Sequence, residues 1–373
     1  MSVLSSEKRI LVTGGAGFLG QAVVRKLRLR GCEQIFIPRR ATCDLSKWTD
    51  VAKLFAKARP HLVLHLAASD DRPAAGGNPA ESFYRNVLAS THVIEAAYQQ
   101  GVLKLLCVGC ESSYSPQAPV PFREETLFTG LPESPRVAYG IAKRLPLIQA
   151  QVYRRQYGFR SVFVIPTNLY GPNDNFGSDT PSLIASLIRK LVEAADSSAA
   201  PEVVIAGSGS VTRDFLFVDD CADAILLALD RYDAPDALNL GSGSEVGVHE
   251  VVRRIAKLAG YTGQVRWDAS QPEGPRRRVL DIRRAQGVLG YAPRRQLNDG
   301  LSETIDWYRA SLRAPAAAEA PKEDTQDAPK GPPRRRVKQS SPSLVSVVGT
   351  EEKILVAVQD AADRQAAAKR TVS

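Results

Sequence analysis

Three glycines spaced Gly14-x-x-Gly17-x-x-Gly20 stand directly behind the short β run Arg9–Val12, and they constrain this chain more than any other feature. A run of that kind is buried on both faces, as in a parallel sheet. The segment Gln21–Leu29 behind the glycines has helical periodicity. Strand, glycine turn and helix in that order form a dinucleotide cradle. Gly14 permits the tight turn, Gly17 lets the backbone approach a pyrophosphate, and Gly20 lets the helix pack on the strand. The free N–H groups of the helix start then face the anion.

The rest of the first 310 or so residues repeats the alternation. Strands are expected at Ile35–Ile37, Leu62–Leu66, Lys104–Val108 and Ser161–Ile165, and helices near Trp48–Ala58 and Asn86–Gln99. This order predicts a Rossmann-type, doubly wound parallel α/β sheet with ligands at the carboxyl ends of its strands. The length suits that domain plus a smaller α/β lobe. Residues 8–176, rejoined by 206–240, are assigned to the dinucleotide-binding domain, and 177–205 with 241–312 to a substrate lobe. Residues 313–373 turn to alanine, proline, lysine and glutamate and read as a disordered tail.

A second motif supplies chemistry. Tyr139 and Lys143 lie four apart in Ala-Tyr-Gly-Ile-Ala-Lys, on one face of an expected helix. A phenol with a reference pKa near about 10 is a poor base. A neighbouring ammonium stabilises the phenolate, so the pair can exchange a proton with a substrate oxygen while a nicotinamide exchanges the hydride. Behind the second strand stand Arg39 and Arg40, with no acid until Asp44. Arginines there accommodate the 2′-phosphate of NADP, whereas an acid would bind the ribose of NAD, which remains the alternative. Pro146, three residues past Lys143, predicts a kink.

Composition narrows the setting. Five cysteines without framework spacing point to a reducing compartment, and no leader or membrane span is evident, so a cytoplasmic protein is expected. The net charge of +9 is concentrated in short runs such as Arg276–Arg278 and Arg334–Arg336, which argues against a nucleic-acid partner. Arg276–Arg278 fits a diphosphate contact and a solvated turn equally well. Cys107-x-x-Cys110 closes a strand and is read as neither a metal site nor a redox site; no metal is expected.

Several segments carry a family resemblance: Leu64–Ala68, Arg154–Gly158, Pro166–Phe176, Gly207–Gly209 with Arg213–Leu216, and Asp281, Leu289–Pro293 and Gly300-Leu301. Over about residues 8–312 the chain resembles the extended short-chain dehydrogenases/reductases, the NAD-dependent epimerase/dehydratase family, and within it the GDP-L-fucose synthases. The resemblance implies NADP-dependent reduction at C4 of a GDP-4-keto-6-deoxy sugar, coupled to epimerisation. It implies cofactor contacts from Gly14, Gly17, Phe18, Leu19, Gly20, Arg39, Arg40, Asp44, Leu45, Leu66, Ala67, Ala68, Tyr139, Lys143, Pro166, Asn168 and Leu169. Substrate contacts fall on Asn168, Ser182, Lys190 and Arg213, and a homodimer forms through the helix bearing Tyr139 and its neighbour.

The departures are specific. Where the family has Ser-Ser-Cys-Ile-Tyr-Pro, this chain has Cys110-Glu111-Ser112-Ser113-Tyr114-Ser115. Cys110 takes the place of the serine that polarises the substrate, and Ser112 that of the epimerising cysteine. Ser182 occupies the place of the epimerising histidine, and Ala206 that of an aromatic residue before Gly-Ser-Gly. Tyr139, Lys143, Cys110 and Ser112 are therefore the catalytic candidates. The reductase is retained in outline, and the epimerisation lacks its usual acid and base. The alternatives are a non-epimerising 4-reductase, an epimerase of another nucleotide sugar, or a non-catalytic NADP-binding protein.

Overall fold

In the computed structural model, described for residues 3–69, 78–132, 136–177, 182–197, 199, 201–271 and 274–313, strands and helices alternate from the first turn onward. The order is β1 (Ile10–Thr13), α1 (Phe18–Leu29), β2 (Ile35–Phe36), α2 (Trp48–Ala58), β3 (Leu62–His65), α3 (Pro79–Gln99), β4 (Lys104–Val108), α4 (Val137–Tyr157), β5 (Ser161–Pro166) and β6 (Asn168–Tyr170). There follow α5 (Leu183–Ala195), β7 (Val203–Ala206), β8 (Thr212–Arg213), β9 (Phe215–Phe217), α6 (Val218–Arg231), β10 (Leu238–Leu240), β11 (Val246–Gly247), α7 (Val248–Ala259), β12 (Val265–Asp268), β13 (Arg277–Arg278), α8 (Arg283–Leu289) and α9 (Leu297–Arg313). The tail from residue 314 onward lies outside the described residues.

The main sheet has six parallel strands in the order β10-β5-β4-β3-β1-β2. The chain leaves β1 for β2 on one side and returns to β3 on the other, which opens a crevice at their carboxyl ends. Every residue of β1, β3, β4 and β5 is buried, which explains their apolar runs. The expected doubly wound sheet is present.

Two apolar cores fill one compact unit. The first packs the main sheet against its helices, and the second gathers α5, α7, α9, β7 and β9. The cores interleave along the chain. Phe215 and Phe217 belong to the second, whereas Leu280–Tyr291 contributes Leu280, Ile282, Ala285, Leu289 and Tyr291 to the first. A buried knot ties the late segment to the early one. Asn239 in β10 accepts from the Tyr114 hydroxyl (2.8 Å) and donates to the carbonyls of Phe122 (2.9 Å) and Asp281 (3.1 Å).

One helix differs from expectation. Helix α3 starts seven residues earlier than the sequence periodicity suggested, capped by Asn78, which accepts from the Glu81 N–H, with Pro79 at the first position. Helix α4 carries Pro146 inside it without ending there, and Pro146, Leu147 and Ala150 are all buried, so packing outweighs the backbone hydrogen bond that proline forfeits.

The glycine turn is tight. Gly14 has φ +72°, and a methyl on Gly20 would lie 2.0 Å from the Gly14 carbonyl oxygen. Gly20→Ala is therefore expected to lower stability by about 1–3 kcal/mol through overpacking against backbone that cannot yield. Urea unfolding checks this, and a wild-type midpoint would refute it.

Candidate active site

The crevice at the end of β1 leads into a cavity of about 400 Å³ lined by Gly14, Gly17, Arg39, Arg40, Asp44, Leu45, Leu66, Ala67 and Ala68. It thus brings together most of the residues expected to hold the cofactor. Ala67 crosses so close to the glycine turn that a methyl on Gly14 would lie 2.7 Å from its backbone nitrogen. Phe18 and Leu19 pack on the first core through their side chains, and Gly17 N–H closes the turn on the Gly14 carbonyl at 3.0 Å. The cradle fits a dinucleotide: Gly14 and Gly17 line it without side chains of their own, and Arg39 and Arg40 line the same cavity.

Among the lining residues that escaped the sequence reading are Cys43, Arg85 and Asn86. Arg85 reaches Asp44 at 3.3 Å and Glu81 at 2.8 Å. Hydrogen bonds from Ser46, with Arg85 and Lys47 nearby, hold the Asp44 carboxyl below its ordinary range. Asn86 clamps the loop after β3 by exchanging hydrogen bonds with Ser69 N–H and carbonyl, both 2.8 Å. No local motif announces these pairs.

The catalytic candidates meet at the carboxyl edge of β4. Lys143 is buried, and burial lowers its pKa, opposed by the thiols of Cys110 and Cys107 beside it. Tyr139 stands one turn earlier on α4, half-buried, with the Arg136 guanidinium 4.5 Å from its ring centre. The Cys110 Sγ lies 2.9 Å from Ser112 Oγ and 3.6 Å from Ser113 Oγ. His65 is also buried near Lys143. Burial first, and then that charge, push its pKa down to about 3, so it remains neutral between Thr13 and Ser90.

The turn Glu111–Ser113 is fastened to α4. The buried Arg144 guanidinium donates to the Ser113 carbonyl and, at 2.8 Å, to that of Gly130. Ser113 Oγ donates to the Gly140 carbonyl at 3.2 Å, and a methyl on Gly140 would come within 2.9 Å of the Ser112 carbonyl. Arg144 and Gly140 thus set the distance between the Tyr139 helix and the Cys110 turn. Neither was singled out from the sequence.

The expected substrate contacts are less uniform. Asn168 opens β6 and donates to the Asp214 carbonyl at 3.1 Å. Pro166 ends β5 in register with Leu240, and Leu169 packs on the first core. Arg213 donates to the carbonyls of Thr212 (2.7 Å) and Pro275 (2.8 Å). Lys190 is exposed on α5, with its ammonium on the Val204 carbonyl at 3.0 Å. Ser182 caps α5 by accepting from Ala185 N–H, and its hydroxyl donates to Asp174 at 2.6 Å. The arginine run divides: Arg277 pairs with Glu245 on the surface, and Arg278 turns inward to Glu111 at 3.8 Å.

Two buried acids complete the site. Asp214 is fully buried and receives the Ser242 N–H (3.0 Å) and hydroxyl on Oδ1, while Oδ2 has no hydrogen-bond partner. Burial pushes its pKa up to about 7 despite Ser242, and Glu111 adds to the rise. Among the described residues no cluster of metal-ligating side chains occurs, and no helix is long and apolar enough to cross a membrane.

A family model described as NAD dependent epimerase/dehydratase matches residues 10–241. A relative from Arabidopsis thaliana named GDP-L-fucose synthase 1 is 38% identical over 308 residues, covering 82% of this chain and 95% of the relative. Two crystal structures from Campylobacter jejuni share the fold. A GDP-6-OMe-4-keto-L-xylo-heptose reductase is 26% identical with a TM-score of 0.77 and covers 82% of this chain and 99% of its own. A GDP-mannoheptose C4 reductase with NADP bound is 26% identical with a TM-score of 0.74, at the same coverage.

Asp214 makes stability depend on pH. An acid whose folded pKa lies well above 3.8 holds its proton more tightly in the folded chain, so stability falls as pH rises from about 4 to about 7. Asp214→Asn keeps an acceptor for Ser242 and removes the charge. The difference in urea midpoint between about pH 5 and about pH 8 should shrink in the variant; an undiminished difference would disprove this assignment.

Proposed function

The chain belongs to the NAD dependent epimerase/dehydratase family, and on that premise we propose that it is an NADP-dependent enzyme reducing a GDP-linked 4-keto sugar at C4. The observation that carries this reading is the packing of the helix bearing Tyr139 and Lys143 on the Cys110–Ser113 turn at the carboxyl end of β4, in a chain whose β1 end forms a cradle lined by Arg39 and Arg40. NADPH, when bound, supplies a hydride to the carbonyl carbon.

The chain's own side chains supply the rest. Tyr139 gives its phenolic proton to the C4 oxygen as that oxygen gains charge, and Lys143 one turn on stabilises the phenolate left behind. Ser112 and Cys110 share the contact to the same oxygen. A hydroxyl is the stronger donor of the two, so Ser112 carries most of the polarisation. Gly17 leaves room for the pyrophosphate, and Gly14 and Gly20 give the turn its close approach to Ala67 and to α1. Arg213 is the candidate for the substrate diphosphate, and Asn168 stands where the cofactor and sugar sites adjoin.

Epimerisation has weaker support. Ser182 is already engaged as a helix cap and on the Asp174 carboxylate, and a serine hydroxyl held by so weak a base neither takes nor returns a carbon-bound proton well near neutral pH. The two Campylobacter relatives are named as reductases, and the Arabidopsis relative as a synthase. We therefore favour a 4-reductase that leaves C3 and C5 unaltered.

Incubation with GDP-4-keto-6-deoxymannose should consume NADPH, and NMR of the product should show the unepimerised 6-deoxy sugar. The fucose isomer would restore the epimerase; no turnover would sink the assignment for this sugar. Tyr139→Phe should lower kcat by about 10²–10⁴-fold with NADPH binding intact, and an unchanged kcat would remove Tyr139 from the chemistry.

Leu145, Ile148 and Val152 form an exposed apolar stripe on α4 at i, i+3, i+7 spacing, and Tyr84 stands exposed on the neighbouring α3. Two copies joined through these helices would bury the stripe in a four-helix arrangement. Light scattering should report a dimer for the wild type and a monomer for Ile148→Asp; a monomeric wild type removes the dimer. The five free cysteines are consistent with the cytoplasm.

A further inference from the structure

One buried carboxylate in the site has no part in the chemistry above. Glu111 lies between Cys110 and Ser112, at a position where the family run has serine. Its side chain is 9% exposed. Thr167 Oγ1 donates to Glu111 Oε2 at 3.0 Å and to the Asp214 carbonyl at 3.1 Å. The Asn168 amide donates to that same Asp214 carbonyl at 3.1 Å, and Arg278 approaches Glu111 Oε1 at 3.8 Å. A single side chain therefore joins three segments: the catalytic turn, the Thr167-Asn168 junction and the arginine pair of β8 and β13.

The geometry points to Glu111 as a positioning residue that holds Arg278, together with Arg213, facing the diphosphate of the nucleotide-sugar substrate. This rests on the reading of the site as a nucleotide-sugar site. The physical reason is the cost of leaving a guanidinium in low dielectric without an anion. Arg278 has only 14% of its side chain exposed, and it follows Arg277, which is on the surface. With Glu111 in place, an inward Arg278 is neutralised before substrate arrives. Without it, the more favourable place for Arg278 is solvent, beside its exposed neighbours. The β strand pairing supports the arrangement, since Arg278 stands in parallel register with Arg213.

The sign of the effect separates positioning from simple charge. If Glu111 merely competed with a diphosphate for the arginines, removing its charge would tighten nucleotide binding. If it positions them, removal weakens binding.

GDP is titrated calorimetrically into the NADP-loaded full-length protein. Glu111→Gln should weaken GDP binding about tenfold, the order expected when one charge-assisted contact to the ligand is lost. Arg278→Met should do the same, and the double variant should lose no more than either single one. NADPH affinity should stay at its wild-type value. In turnover, KM for the GDP-sugar should rise with kcat unchanged. Unchanged or tighter GDP binding in Glu111→Gln overturns the inference, as does an additive double variant. Should Glu111→Gln fail to fold, unchanged GDP binding in Arg278→Met overturns it, and a tenfold loss there supports it. A wild type that binds neither GDP nor UDP removes the nucleotide-sugar reading and this inference with it, whereas wild-type binding that Glu111→Gln leaves intact removes the inference alone.

Discussion

The Gly14 carbonyl occupies the space that a side chain at position 20 would need, and the rest of the molecule is arranged around that contact. Bringing α1 this close to β1 places the helix start directly over the end of the strand. Because β1 is flanked by β2 and β3, the same contact lies where the sheet changes winding direction. Everything that acts chemically then arrives along the carboxyl ends of neighbouring strands: Ala67 after β3, Cys110 after β4, Asn168 after β5. The sheet supplies the direction, and the glycines supply the clearance.

Features encoded by short spacing were legible in the sequence. The glycine fingerprint, the Tyr139–Lys143 turn and the runs of buried strand each require only neighbours along the chain. What escaped were groups whose meaning lies in distant partners. Arg85 matters through Asp44, Arg144 through Ser113 and Gly130, and Glu111 through Thr167 and Arg278. Each is an ordinary charged residue until the fold closes a loop of tens of residues around it. Alignment had the opposite weakness: it gave Lys190 and Ser182 a position but not their contacts on Val204 and Asp174.

The floor of the site is electrically mixed. Lys143, Arg213 and Arg278 stand close to Glu111 and Asp214, three bases with two acids among them. Such mixing lets charged groups be buried at all, because an isolated charge in that environment would shed or gain a proton instead. Asp214 shows the limit of the arrangement: with one oxygen unpartnered, it keeps its proton to near neutrality.

Ser182 acquires a different significance once its contacts are known. Its hydroxyl both starts α5 and anchors the loop at Asp174, so the position now belongs to the scaffold. An imidazole placed there would first have to replace a helix cap worth about 1 kcal/mol. Any acid–base chemistry gained at this position would therefore begin with a step downhill in stability.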